Sequence, residues 1–436
     1  MNLKKNQGFM KYFKNTSWLF LERMIKMGIS FFIIILLTRY LGPENYGLLS
    51  YSQSFVGVFI AFSTLGLDVI LVRELSKNKK ENNNLLGTAF FLKLFTSFLS
   101  IAIIITINTF TEDKEAVLLT NIIAFILIFQ SFNTLDVFFQ VNIISKYSAV
   151  SNIIAFTVSS LLKLFLIYFE ADLIYFAYAL VFDSLLIAIG YTYIYIKQKQ
   201  SFLQWKFNFN VAVKLLKSGW PLMLVSLAVF IYTRTDQVML KHMIGNEAVG
   251  NYAAAIKVSE LFYFIPLLIT QSVFPKIVEI KERSEAEYFI FLENLYKLLV
   301  WSSIPIALGL FAFSDLIISI LYGSQYQEAS SILSILAFAI IFNAIGTITT
   351  KILYTEYYER KYFYRSILGV FVNIGLNFYF IPMYSSNGAA ISTVITLFIM
   401  YYMYDILDKD LHKFYYLKVL CFIPYFNQKE TNEKTN

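Results

Sequence analysis

The sequence predicts an all-α integral membrane protein of about twelve transmembrane helices. Three observations carry that expectation. Hydrophobic residues make up 58% of the 436 and charged residues only 15%, with a mean hydropathy of +0.61, whereas soluble domains carry about 25% charged residues. Apolar runs recur along nearly the whole chain, each near the roughly 20 residues that cross about 30 Å of hydrocarbon as a helix. Segments such as FFIIILLT at 31–38 lack the in-out alternation that a barrel strand needs.

Apolar runs between charged or Gly, Pro and Asn breaks place helices at 18–40, 48–72, 85–107, 117–140, 149–169 and 173–196, then at 218–240, 249–273, 298–321, 329–354, 366–381 and 388–406. The first run reads as a retained helix, because Glu22, Arg23 and Lys26 interrupt it and no small-residue cleavage site follows. Four regions result: a six-helix bundle at 1–196, a basic linker at 197–217, a second bundle at 218–406 and a tail at 407–436. The tail segment FYYLKVLCFIPYF at 414–426 is too short to span and is broken by Lys418 and Pro424. It is expected to lie along the inner membrane surface.

Orientation follows from the excess of Lys and Arg in cytoplasmic loops. With the N-terminus inside, the inner segments hold Lys4, Lys5, Lys11 and Lys14, then Arg73, Lys77, Lys79 and Lys80, then Lys146. Lys197, Lys199, Lys206, Lys214 and Lys217 occupy the linker, Lys276, Lys281, Arg283 and Lys297 the next inner loop, and Arg360, Lys361 and Arg365 the one after. The tail adds Lys409, Lys413, Lys418, Lys429 and Lys434, while the outer loops hold only Lys114 and Lys241. Both termini, at Asn2 and Asn436, are therefore expected in the cytoplasm.

The linker divides the helices into equal sets, which points to an internal duplication. A gapless offset lays LTRYLGPENYG at 37–47 over LKHMIGNEAVG at 240–250, so that Gly42, Glu44 and Gly47 meet Gly245, Glu247 and Gly250. Both copies fall in the outer turn between the first two helices of a half. Parallel repeats are a known transporter plan, with the substrate at their interface.

Several chemistries are excluded or unsupported. One cysteine, Cys421, allows neither an intrachain disulfide nor a cysteine-built metal site. His242 and His412 are far apart and have no metal-ligand spacing, and no phosphate-loop motif is present. The sequence calls for no cofactor, no metal and no nucleic acid.

Eight cations fall inside the spans: Arg23, Lys26, Arg39, Lys93, Lys163, Arg234, Lys257 and Lys351. Arg39 and Lys351 sit at helix ends and can reach the headgroups. The other six lie deeper, where each costs about 2.5–3.5 kcal/mol to insert. Lys26 can pair with Glu22 and Lys257 with Glu260, four and three residues away on the same faces. Arg234 and Asp236 point roughly 200° apart on a helix and cannot pair side by side. Arg23, Lys93, Lys163 and Arg234 then face only Asp183 and Asp236, because Asp68 and Asp136 are expected near solvated helix ends. The resulting positive excess suits a phosphate-bearing anion, which Arg grips with a fork and Lys meets as a point charge. Asp183, Asp236 and Glu260 are the candidates for ion coupling or charge pairing. Pro221, Pro266 and Pro305 fall inside three consecutive spans as hinge candidates.

The stretches LLTRYLGPENYGLLSYSQ at 36–53, LGLDVILVRELS at 65–76, and RTDQVML with VGNYAAAIKVSELFYFIPLLITQSVFPKI within 234–277 resemble the polysaccharide-exporter, O-antigen flippase (Wzx-type) family. That family belongs to the superfamily that includes multidrug and toxin extrusion (MATE) transporters. The resemblance implies a MATE-like fold, two six-helix bundles around a central cavity that opens alternately to each side. It implies as cargo an undecaprenyl-pyrophosphate-linked sugar repeat unit, with membrane lipids, a polysaccharide polymerase and a chain-length regulator as partners. Such proteins carry cationic residues in that cavity, for which Arg23, Lys26, Lys93, Arg234 and Lys257 are the candidates here, and Lys163 joins them from the charge count.

Competing functions are a cation-coupled multidrug extruder of the same fold, an exporter of another lipid-linked glycan, a non-transporting scaffold, and a polymerase or ligase. A positive cavity repels cationic drugs, a scaffold has no use for mid-membrane cations, and an enzyme of this kind is expected to carry a large outer loop. The topology has a direct check. A cysteine placed in the 197–217 linker should resist an impermeant thiol reagent added outside intact cells, and labelling there would reverse the orientation.

Overall fold

The computed structural model describes residues 3–77 and 82–423, and the regular structure among them is helical. Asn2, Asn436, Lys79, Lys80 and the tail from Pro424 onward lie outside the described residues. The chain forms two compact units, Met1–Phe230 and Ile231–Asn436.

The first unit opens with α1 (Leu3–Thr64), whose 62 residues would extend about 90 Å if straight. It is two crossings: at Gly42 the backbone takes φ 70 and ψ 172, outside the helical region. Pro43 follows directly, at the first helical position, where its missing N–H costs nothing. A turn at Leu65 and Gly66, φ 54 and 62, leads into α2 (Leu67–Lys77). Next come α3 (Asn82–Asn108), then α4 (Lys114–Ala124), α5 (Ile126–Gln130) and α6 (Asn133–Val141), which together make one crossing. α7 (Ser145–Tyr168) and α8 (Leu173–Lys197) complete the set.

The second unit contains the later part of α9 (Phe209–Met243), then α10 (Asn246–Arg283), α11 (Glu285–Ala312), α12 (Ser314–Tyr322), α13 (Gln327–Leu336) and α14 (Ala339–Thr355). α15 (Glu359–Phe398) and the short α16 (His412–Leu420) follow. α15 breaks at Ser385, φ 51 and ψ −133. A Cβ on Gly388 would lie 2.1 Å from the Phe380 carbonyl oxygen. Eight residues apart on a straight helix is about 12 Å, so the chain reverses at Ser385.

Among the described residues, nine helical segments are long and apolar enough to cross a membrane, and a tenth is a pair, Ser324–Leu336 with Ala339–Thr355, bent by 48°. Ser17–Lys77 and Glu359–Ile406 each supply two crossings, divided at Gly42 and Ser385. The twelve expected spans are recovered, with helices running past the apolar runs where charged residues extend them. Residues of positive φ also recur in order. Gly42, Ile143 and Glu170 end the first, fourth and fifth crossings of one half; Gly245, Tyr357 and Ser385 do so in the other. Gly47 and Gly250 are both buried, and Glu44 and Glu247 both exposed.

Two segments differ from the sequence reading. The stretch read as a linker at 197–217 is docked on the first unit, and from Phe209 onward it is already the start of α9. Trp205 is buried, donates from its indole N–H to the Tyr195 hydroxyl at 2.9 Å, and packs on Phe90 and Phe202 at centroid distances of 5.3 and 4.8 Å. The Asn208 backbone N–H donates to Thr88 Oγ1 at 3.0 Å. The aromatic residues rather than the lysines decide where this segment goes, since a buried aromatic brings a large apolar area. Similarly, α16 packs on protein and not only along a membrane surface: Phe414 and Cys421 are buried, and Phe414 stacks on Phe289 at 5.9 Å.

Replacing Trp205 tests the docking. Trp205→Ala should destabilise the protein by about 3–5 kcal/mol, read as a lowered thermal midpoint in detergent. Trp205→Phe should recover most of that loss, because it keeps the ring contacts and gives up one hydrogen bond.

Candidate functional site

The most heavily coordinated charge in the second unit is Asp236, 1% exposed on α9. Its Oδ1 accepts from Asn373 Nδ2 at 2.9 Å and Asn377 Nδ2 at 2.6 Å. Its Oδ2 accepts from the hydroxyls of Tyr252 and Thr393, both at 2.5 Å. Asn373 and Asn377 are four apart on α15 and so share a face, while the reversal at Ser385 returns Thr393 to the same place. None of these four partners is a cation. Beside them lies a cavity of about 80 Å³ lined by residues including Tyr232, Asp236, Glu260, Asn343, Asn373 and Tyr401, room for several waters at about 10–15 Å³ each. Asn377 Oδ1 is buried and accepts no hydrogen bond, so an acceptor stands ready beside the carboxylate.

Glu260, which lines that cavity, belongs to an ion trio. Glu260 on α10 accepts from Lys257 Nζ at 2.9 Å on one oxygen, and Arg234 Nη2 lies 3.6 Å from the other. The sequence reading left Arg234 without a same-face acid and weighed Asp183 as a partner; the acid that meets it is Glu260, one helix away. Arg234, Lys257 and Glu260 are all about 30% exposed, and they leave one positive charge uncompensated.

The candidates of the first unit are paired more fully than their spacing implied. Lys93, fully buried on α3, binds Asp68 of α2, whose side chain stays 45% exposed, as its place near a solvated helix end implied. Lys26 lies 3.7 Å from Glu22, which also accepts from Asn152 Nδ2 at 2.8 Å. Lys163 of α7 is buried and has no ion pair within 4 Å among the described residues. Arg23 is exposed and has no ion-pair partner among the described residues. The positive excess counted from sequence therefore shrinks, because a count along one helix misses partners on neighbouring helices. Lys351, placed at a helix end, lies 5.0 Å from the Phe274 ring centroid. Pro221, Pro266 and Pro305 lie inside α9, α10 and α11.

Sequence reasoning missed Tyr252, Asn373, Asn377 and Thr393. The signal was the pair of asparagines four apart in an apolar run. It also counted Arg365, Lys418 and Lys297 as loop cations, yet all three are buried. Arg365 and Lys418 converge on Asp405, and Lys297 lies 2.6 Å from Glu293.

A family profile described as polysaccharide biosynthesis protein matches residues 12–281, more than half of the chain. The chain belongs to that family. A second profile, MatE, matches residues 221–379. This polysaccharide biosynthesis protein is 23% identical over 411 residues to the capsular polysaccharide biosynthesis protein CapF of Staphylococcus aureus, covering 90% of this chain and 98% of the relative. It is 25% identical over 190 residues to the probable flippase AglR of Haloferax volcanii, covering 41% and 38%. Its fold is that of a multidrug resistance MATE transporter in an inward-facing conformation, with a TM-score of 0.75 at 14% identity over 93% and 98% of the two chains. The lipid II flippase MurJ shares it at 0.67 and 17%, over 94% and 91%. This is a multi-pass membrane protein with a MATE-like fold.

The trio makes a prediction about folding. Glu260→Gln leaves Arg234 and Lys257 facing each other and should lower membrane abundance, by about 1–2 kcal/mol of stability rather than the 3–5 of a fully buried pair. Adding Arg234→Gln should restore it. Equal abundance of all three proteins would show that the trio is not a structural unit.

Proposed function

We propose that this protein is a flippase that carries undecaprenyl-pyrophosphate-linked oligosaccharide repeat units across the bacterial cytoplasmic membrane, for O-antigen or capsular polysaccharide synthesis, by alternating access. The observation that carries the reading is the partly exposed trio beside the cavity, where two cations share the Glu260 carboxylate. Its surplus positive charge meets a pyrophosphate, with Arg234 as the fork and Lys257 as the point charge. Within the first unit Arg23 is exposed and Lys26 about one-third exposed, so these are its first candidates for an anion, ahead of the buried Lys93 and Lys163. Membership in the polysaccharide biosynthesis family and the names of CapF and AglR support the substrate class.

Asp236 is assigned to ion coupling. The partners of its carboxyl are all neutral, so a proton or sodium ion can join it without breaking an ion pair. The gradient then supplies the energy that the chain has no phosphate loop to draw from ATP. Asp183 is the corresponding candidate in the first unit, where its Oδ1 is buried with no hydrogen-bond partner. Both termini lie in the cytoplasm in this reading, and Pro221, Pro266 and Pro305 act as hinges. A polymerase and a chain-length regulator would take over the product outside.

The second reading is a cation-coupled multidrug extruder, favoured by the MatE match over 221–379. The surplus charge beside the cavity repels the cations that such a protein would export.

Deleting the gene and analysing lipid-linked intermediates tests the substrate. A repeat unit should accumulate on the cytoplasmic side, and its absence would defeat the flippase reading. In the complemented strain Arg234→Ala should abolish export at normal abundance, since Lys257 still neutralises Glu260, and Arg234→Lys should be partly active. Asp236→Asn should cut export to a residual rate that no longer depends on the ion gradient. Normal export by Arg234→Ala would remove Arg234 from the substrate site.

A further inference from the structure

We propose that Tyr232 and Tyr401 close the α16 end of the Asp236 cavity, and that Lys418 of α16 latches this closure. The inference rests on the reading of Asp236 as the coupling site, and it names the regulation of that site.

The two tyrosines occupy a layer of their own. Tyr232 precedes Asp236 by one turn of α9, about 6 Å of rise, and Tyr401 follows Thr393 by about 12 Å. Both chains run toward the α16 end from the carboxylate to the tyrosines, so the pair lies between Asp236 and α16. The two hydroxyls are 3.3 Å apart, and the side chains are 8% and 7% exposed. Both line the cavity. A coupling ion approaching from that end meets this pair before the carboxylate.

Tyr401 is held in place from two directions. Ile399–Met403 form a π turn, the kind of widened turn that occurs mostly at functional sites. Lys418 Nζ donates to the Tyr401 carbonyl oxygen at 2.6 Å and to Asp405 Oδ2 at 2.6 Å. Arg365 binds the other oxygen of Asp405. The ring is seated against Gly346 of α14, where a Cβ would lie 2.6 Å from the ring, and the neighbouring Met400 against Gly369, where a Cβ would lie 2.2 Å from its sulfur. A side chain at either glycine would displace the turn. Lys418 itself is fully buried; burial, helped by Arg365 and opposed by Asp405, pulls its ammonium down to about 8, so the cation is the main form at neutral pH. It touches neither Asp236 nor the trio, and is a positioning residue for Tyr401.

Thiol accessibility of the full-length protein in inside-out vesicles tests the latch. With Cys421→Ala as background, Thr396→Cys reports from the cavity lining and Ala329→Cys from a buried position on α13 outside it. A small impermeant cationic thiol reagent should label Thr396→Cys slowly. Lys418→Met should speed that labelling about tenfold or more, the factor that losing one charge-assisted hydrogen bond confers, and leave Ala329→Cys unchanged. Gly346→Ala, which keeps every ion pair, should do the same from the ring side, and it carries the test if Lys418→Met does not reach the membrane. Parent-rate labelling in both variants overturns the latch, as does equal acceleration at Ala329→Cys, which would mean general loosening. The coupling reading is scored separately by whether sodium or acid protects Thr396→Cys in the opened variant and loses that effect with Asp236→Asn. Acceleration without protection keeps the latch and discards the coupling site.

Discussion

A charged side chain inside hydrocarbon costs a few kcal/mol unless something is brought to it, and that cost governs how both units are assembled. Lys93 is tolerable because α2 offers Asp68, and Arg234 because α10 offers Glu260. Each pair joins two different elements, so each also fixes which helices are neighbours. Arg365 and Lys418 extend the rule to the end of the second unit, where a single carboxylate, Asp405, holds α15 and α16 together. Mutual attraction is not the main benefit of such pairs. Separating them strands a buried charge, which is far more costly than their formation is favourable.

The crossings themselves were legible in the sequence, because a run of about twenty apolar residues has few alternatives to spanning. The breaks at Gly42 and Gly245 were legible too, as glycines that open matching motifs. Ser385 was not, since serine has no general preference for positive φ; the reversal there brings Gly388 close against the Phe380 carbonyl oxygen. Charge partners across helices were equally hidden. Spacing along one helix finds Glu22 with Lys26 and Lys257 with Glu260, whereas Asp68 with Lys93 depends on which helices become neighbours. Arg365, Lys297 and Lys418 read as loop cations because each lies near a helix end in a charged stretch. The docked segment around Trp205 misled in the same way, its lysines suggesting solvent while its aromatics found a core.

Asp236 follows a different rule from the paired charges. Two amides and two hydroxyls satisfy it, and such donors stabilise a carboxylate without neutralising it. An ion pair resists a third charge, because the incoming cation must displace the resident one. Neutral donors can turn or shift while a proton or metal ion enters. The two kinds of compensation line one cavity from neighbouring helices, Glu260 closed by its cations and Asp236 open, and in the proposed cycle the difference separates the side suited to an anion from the side suited to an exchangeable cation.

Both sides are carried by a single helix. Tyr232, Arg234 and Asp236 occupy alternate positions over little more than a turn of α9, and Arg234 and Asp236 point roughly 200° apart. The arginine reaches Glu260 on one side while the carboxylate reaches α15 on the other. A turn of helix gripped on opposite faces cannot rotate or shift for one partner alone. Loading Asp236, or drawing Arg234 off Glu260 toward a phosphate, therefore alters the strain on the other contact through the backbone between them. In the proposed cycle this short segment is the mechanical link between coupling ion and cargo. Tyr232 adds the closure to the same turn, so the state of the cavity mouth and the state of both charges move together.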